Sequence, residues 1–254
     1  MEKCNILDLI KIVELLRSPD GCPWDRVQTH QSIRNNFLEE AYEAADAIDR
    51  MDMDNLKEEL GDVLLQVVFH ASLAREAGAF AFDDVVDGVC RKLVFRHPHV
   101  FGTAEAPDPE GALSVWDAQK RREKDQKTTA DALDGVARAL PALTRAAKLQ
   151  SKAAKAGFDW TDAAPALDKL SEELEELKTA VREGSNVEEE LGDLLFAAVK
   201  AGRFAGVDGE TALQKACEKF IRRFRRVEAL APVPLDTLDV PALEALWARA
   251  KHET

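Results

Sequence analysis

The chain has 254 residues, 46% of them hydrophobic and 32% charged, which describes a globular protein of one large or two ordinary domains and excludes a disordered one. Its formal charge of −13, from 34 basic and 47 acidic residues, sets the surface against nucleic acid and anionic membranes, so an anionic substrate needs a cation to mediate. The longest apolar run, around Val63 to Phe69, is broken by Gln66 and falls far short of the roughly 20 residues that cross a bilayer. The start, Met1 to Asn5, shows no export signal, so the expected location is the cytoplasm, with neither membrane nor nucleic acid as partner. Cys4, Cys22, Cys90 and Cys217 are scattered without a CxxC pair, which fits reduced thiols and argues against zinc.

Ala, Leu, Glu, Lys and Arg dominate, apolar residues recur at three- and four-residue spacing, and alternating β-branched runs are lacking, so the fold class is all-α. The periodicity predicts helices over 4–17, 29–49, 54–77, 82–96 and 112–124, then 132–155, 163–183, 187–205, 209–229 and 240–252. Stops stand at Ser18 to Gly21, Ala77-Gly78, Pro107 and Pro109, and Pro232 and Pro234; His97-Pro98-His99 reads as another. The polar stretch Arg121 to Thr129 reads as a linker, which gives domains over 1–127 and 128–254.

The halves repeat each other in order. Trp24 matches Trp160, Ala77-Gly78 matches Ala205-Gly206, Lys92 and Arg96 match Lys219 and Arg223, and Trp116 and Lys120 match Trp247 and Lys251. Two helical-bundle repeats are therefore expected. Leu60, Val63, Leu64, Val67, Val68 and Ala71, like Leu191, Leu194, Leu195, Ala198 and Val199, are apolar around most of a helix, so these helices should be central and need partners from the other repeat or a second chain.

The most informative part of the repeat is acidic. Glu40 and Glu43 are followed by Glu59-Leu-Gly-Asp62, and Glu173 and Glu176 by Glu190-Leu-Gly-Asp193. Residues three apart on a helix lie on one face, about 5–6 Å apart at Cβ, so each tetrad presents two oxygen pairs from two neighbouring helices. A single ExxE is usually a solvated face; the repeated pairing with ELGD points to a hard-cation site drawn twice. Glycine inside a helix costs about 1 kcal/mol against alanine, so Gly61 and Gly192 suggest that a side chain is being kept out of the way. Ser185 to Glu188 has the pattern of a capping box that would fix the register of the second ELGD. All-oxygen ligation suits Mg²⁺, with Mn²⁺ as substitute, and the absence of Glu-x-x-His pairs argues against di-iron chemistry.

A basic helix follows each tetrad, Arg91 to His97 and Lys219 to Arg226, and could hold distal phosphates while acids and metal hold the reacting one. Pairing with Glu218 and Glu228 within the helix is the alternative. Trp116 and Trp247 could stack on a base or anchor the core.

Together, Gly21-Cys-Pro-Trp-Asp25, Gln28-Thr-His30, Leu38-Glu-Glu-Ala-Tyr-Glu43, Glu59-Leu-Gly-Asp62, Phe69-His-Ala71, Arg96-His-Pro-His-Val-Phe101, Gly157-Phe-Asp-Trp160 and Glu189-Glu-Leu-Gly-Asp193 resemble the MazG nucleoside triphosphate pyrophosphohydrolases over nearly the whole chain. The resemblance implies tandem all-α domains, a homodimer, and Mg²⁺-dependent hydrolysis of nucleoside triphosphates of broad base type to monophosphate and pyrophosphate. It implies metal ligation by Glu40, Glu43, Glu59 and Asp62 and by Glu173, Glu176, Glu190 and Asp193. In the second copy Lys169, Glu172, Glu189, Lys219, Arg222, Arg223 and Trp247 match nucleotide-contacting positions. Glu172, Glu173, Glu189, Lys219 and Arg223 would be catalytic, and Lys169, Arg222 and Trp247, with Lys92 and Arg96 of the first copy, substrate-binding. Lys169 precedes Glu173 by one helical turn, where the first half has Asn36, so the second copy is the expected catalyst. A non-catalytic nucleotide-sensing or partner-binding dimer, and a narrow dUTP- or dCTP-type pyrophosphatase, are the alternatives.

Overall fold

The computed structural model describes residues 3–253, and every regular element among them is helical. Cα packing divides the chain into two compact units, residues 1–120 and 121–254.

In the first unit α1 (Ile6–Arg17) begins with a capping box: the Asn5 side chain accepts from the Leu7 N–H and the Asp8 carboxylate from the Asn5 N–H, at 2.8 and 2.9 Å. After the short α2 (Pro23–Arg26), α3 (Arg34–Asp49) and α4 (Met53–Glu76) form an antiparallel hairpin, which α1 crosses on the α4 side. The small Ala44 and Ala47 are the buried residues of α3, so the hairpin can close tightly. Val13, Ile33, Val68, Phe69 and Leu73 make the core, supported by Leu9, Ile10, Leu65 and Phe82. At its edge the buried Arg17 guanidinium holds both Glu76 oxygens, at 2.8 and 2.7 Å, donates to the Asp25 carbonyl, and lies over the Phe69 ring. The hydrogen bonds from Arg17, opposed in part by burial, keep Glu76 below the ordinary carboxylate range. The unit continues with α5 (Phe82–Arg96), α6 (Pro98–Phe101) and α7 (Pro109–Glu123).

The second unit contains α8 (Thr129–Asp134), α9 (Ala142–Lys155), α10 (Ala164–Glu183), α11 (Val187–Phe204), α12 (Gly209–Leu230), a 3-10 turn over Leu235–Thr237, and α13 (Val240–His252). Its centre is again a hairpin, α10 against α11, with α9 laid on α11. Gly184 (φ 67°) and Asn186 (φ 54°) make the reversal. A second cluster, Val227, Leu246 and Ala250, joins α12 to α13.

Several expected boundaries shift for local reasons. Residues 29–33 are not helical as predicted: Thr29 and Ser32 exchange side-chain to backbone hydrogen bonds and close a turn before α3. The predicted helix over 132–155 is two helices, since Gly135 ends α8 and Pro141 precedes α9. The expected linker 121–129 is helical in its first residues, where α7 runs to Glu123. The capping box at Ser185–Glu188 does not form; with two residues between Gly184 and α11, Asn186 takes the N-cap position left-handed and makes no side-chain cap bond. His97-Pro98 does end α5.

Gly61 and Gly192 have open space where a Cβ would stand, so no close contact among the described residues requires glycine there. Around them Leu60 (54% exposed), Leu64 (40%), Leu191 (45%) and Leu195 (45%) remain accessible. The helices expected to be central, α4 and α11, therefore keep an uncovered apolar face beside these glycines, while the second half of α4 is buried all round at Ala71, Ser72, Leu73 and Ala74.

Candidate metal centres and nucleotide site

Each hairpin brings its acids together across two helices, but the two clusters differ in membership. In the first unit Glu40, Glu43 and Glu59 bring one carboxylate oxygen each to within 4.8 Å of one another. Asn55, one turn upstream on α4, donates to Glu59 at 2.5 Å. Burial, and then the charges of Asp62, Glu43, Glu59 and Glu39, push the Glu40 carboxyl above its ordinary value. Glu43 is also raised, by burial, by the charges around it and by a hydrogen bond with Glu59. Asp62 thus acts on the cluster by its charge, outside the close trio.

This crowding has a definite sign. A carboxyl raised in the folded state penalises folding above its raised value and ceases to do so once protonated in both states, below the ordinary 4.5 of glutamate. In metal-free protein, Glu40→Gln is therefore expected to raise the thermal midpoint near neutral pH, with the advantage fading as pH falls toward that value. Melting curves of both proteins from pH 8 to pH 4 check this; a variant less stable than wild type at neutral pH contradicts it.

In the second unit the close trio is Glu173, Glu190 and Asp193, again within 4.8 Å. Glu173 is 6% exposed, and its Oε1 is held at 2.8 Å by the Lys169 ammonium, which also reaches Glu172 at 2.9 Å. Hydrogen bonds to Glu173 and then Glu172 raise the Lys169 ammonium above its ordinary value. Oε2 of Glu173 is buried with no hydrogen-bond partner. Glu176 stands outside the trio, exposed, its carboxyl raised by burial and by the Glu173 charge. Glu189, in the first turn of α11, is exposed.

The donor chemistry fits a hard divalent cation. Every ligand atom is a carboxylate oxygen, the residues of each trio come from both helices of a hairpin, and the orphaned Glu173 oxygen is a lone pair that a cation would satisfy.

A cavity of about 610 Å³ opens beside the second trio. Glu173, Asp193 and Lys169 form its polar wall, and Phe158, Trp160 and Phe196 an aromatic one. Its flank is organised by Asp159, which Lys200 meets at 2.5 Å and Arg203 by a second ion pair, while the Lys200 ammonium lies over the Trp160 ring at 5.4 Å. Burial pushes Asp159 up, but the hydrogen bonds from Lys200, Arg203 and the Trp160 backbone outweigh it and leave the carboxyl below its ordinary range. This network was not singled out from sequence. Its signal was Lys200 itself, a lone lysine in the apolar run Phe196 to Ala201 that needs a buried counter-charge.

The basic residues are less concentrated. Lys219, Arg222 and Arg223 lie on α12, and Trp247 on α13 packs against Phe220 at 5.3 Å; no residue of these two helices lines the cavity. A separate groove of about 520 Å³ runs between α12 and α13, with Trp247 and Lys251 in its wall. In the first unit Lys92 is half-buried, while Arg96 is buried with its guanidinium 5.0 Å from the Trp116 ring centre, which Lys120 also approaches to 4.7 Å. Trp116 and Trp247 are thus both packed by their own chain.

Fold and site together define a class: a tandem all-α protein in which each helical hairpin carries a carboxylate cluster suited to a divalent cation. The chain belongs to the MazG family, matching the MazG nucleotide pyrophosphohydrolase domain at residues 28–101 and again at 162–227. It is 45% identical over 96% of both chains to the nucleoside triphosphate pyrophosphohydrolase of Escherichia coli K12. It is 44% identical to the nucleoside triphosphate pyrophosphohydrolase/pyrophosphatase MazG of Thermotoga maritima, covering 99% of this chain and 98% of that one. A relative from Mycolicibacterium smegmatis, also named a nucleoside triphosphate pyrophosphohydrolase, is 38% identical over 78% of this chain and 61% of its own.

Proposed function

We propose that the protein hydrolyses nucleoside triphosphates, ribo and deoxy and of broad base type, to the monophosphate and pyrophosphate, and that the second unit carries the chemistry. The supporting observation is the juxtaposition in that unit of a carboxylate trio, a lysine and an aromatic-walled cavity. Glu173, Glu190 and Asp193, with Glu176 at their edge, would hold Mg²⁺ or Mn²⁺, which when bound neutralises phosphate charge and acts as a Lewis acid. Lys169 stands within reach of the same phosphates and can neutralise charge growing on the leaving pyrophosphate. Glu172, which pairs with Lys169, and Glu189, both exposed, are the carboxylates proposed to orient the attacking water and accept its proton.

Lys219, Arg222, Arg223 and Trp247 do not line the cavity of their own chain, which supports a homodimer in which they meet nucleotide bound to the other copy. The uncovered leucines beside Gly61 and Gly192 are a surface such a dimer would bury. In the first unit Lys92 and Arg96 are proposed to serve nucleotide binding at the Glu40, Glu43, Glu59 and Asp62 cluster. No helix among the described residues is long and apolar enough to cross a membrane, which agrees with the cytoplasmic location we propose.

The test is incubation with Mg²⁺ and each nucleoside triphosphate, with the products resolved. Equal amounts of monophosphate and pyrophosphate are expected; a diphosphate with orthophosphate, or no turnover, sinks the reading.

A further inference from the structure

The two carboxylate clusters differ most in how their charge is balanced. In the second unit the Lys169 ammonium sits 2.8 Å from Oε1 of Glu173 and 2.9 Å from Glu172, on a carboxylate whose side chain is 8% exposed. The position that matches Lys169 in the first repeat is Asn36, one turn before Glu40, and it brings no charge to its cluster. A buried carboxylate beside an ammonium is already compensated, so a divalent ion that takes the unpartnered Oε2 of Glu173 meets less negative charge than a bare carboxylate offers and is repelled by the ammonium on Oε1; the full attraction returns only when the ammonium leaves. A cluster of acids without a cation has only mutual repulsion to lose.

We propose that Lys169 is a built-in counter-ion that keeps the second cluster closed to free divalent cation, so that this cluster binds metal tightly only when a polyphosphate draws the ammonium away. The first cluster, lacking such a residue, takes the free ion. This rests on reading both clusters as metal sites, and it makes loading of the second site ordered: the lysine exchanges Glu173 for a phosphate oxygen as the ion takes the carboxylate. An empty catalytic cluster would then not fill with metal without substrate, while the first cluster stays loaded.

The experiment is titration of the full chain with Mn²⁺ alone, followed by the paramagnetic signal of the free ion, and again with non-hydrolysable α,β-methylene-ATP. Wild type is expected to show two classes of site about tenfold or more apart in affinity, the range of ordinary coupling between ligands. Glu43→Gln should remove the tighter class and Glu190→Gln the weaker. Lys169→Met should tighten the weaker class about tenfold, Lys169→Arg should keep the wild-type affinity, and Asn36→Lys should weaken the tighter class. The nucleotide analogue should tighten the weaker class more in wild type than in Lys169→Met. One class of equal sites in wild type, or a weaker class that moves less than about twofold in a Lys169→Met or Lys169→Gln protein with a wild-type circular dichroism spectrum, overturns the proposal. Because the titration needs no turnover, the affinity shifts without pyrophosphate release would refute the proposed activity and keep the counter-ion. Turnover without the shifts would do the reverse.

Discussion

Glu173→Gln is expected to lower kcat/KM for nucleoside triphosphates by about 10²–10³-fold, roughly 3–4 kcal/mol of transition-state stabilisation, while Glu40→Gln leaves most of the activity in place. The substitution keeps shape and removes charge at the one buried carboxylate of the second trio, whose Oε2 has no other partner. It removes a proposed metal ligand at the reacting phosphate, so the loss should appear mainly in kcat. Steady-state assays of both variants decide the matter. If Glu40→Gln alone abolishes turnover, the chemistry belongs to the first unit.

Asp159→Ala should give the largest loss of stability among single changes near the site. Lys200 and Arg203, with side chains 13% and 27% exposed, would be left facing each other without a counter-charge. Breaking a fully buried pair costs about 3–5 kcal/mol, and the partial exposure here reduces that to about 2 kcal/mol. Urea unfolding of the full chain measures it, with Asp159→Asn expected to recover part of the loss because it still accepts hydrogen bonds. The acid dependence has the opposite sign to that of the first cluster. Asp159 is held below its ordinary 3.8, so its contribution is fully present above that value and fades as pH falls through the lower, folded-state one. A variant as stable as wild type at pH 7 would show that Lys200 and Arg203 find other partners. Since Lys200 also seats Trp160, the same change should loosen the aromatic wall of the cavity.

The helices were legible because their signals are local. Apolar spacing, Pro98 after Arg96, and Gly184 after Glu183 act within a turn or two, and the observed α10, α11 and α12 lie within a residue of the ranges read from sequence. Misreadings arose where short-range chemistry competed with periodicity: Thr29 and Ser32 closing a turn in a helical pattern, or a reversal too tight for the Ser185 cap. The acids of the candidate site were legible for the same local reason, since ExxE and ELGD spacing places carboxylates on one helix face.

Helical periodicity alone makes the duplicated all-α plan and its two acidic hairpins legible in the chain, and oxygen chemistry proposes a hard divalent cation for them. Only the tertiary structure decided which acids meet: Glu40, Glu43 and Glu59 in one hairpin, but Glu173, Glu190 and Asp193 in the other. It also decided that Lys169 neutralises Glu173, that Lys200 and Arg203 of α11 converge on Asp159 in the loop before α10, and that Gly61 and Gly192 face open space. The physical reason is that charge pairing acts over about 4 Å between side chains of distant sequence position, so which residues share a charge follows from how helices pack.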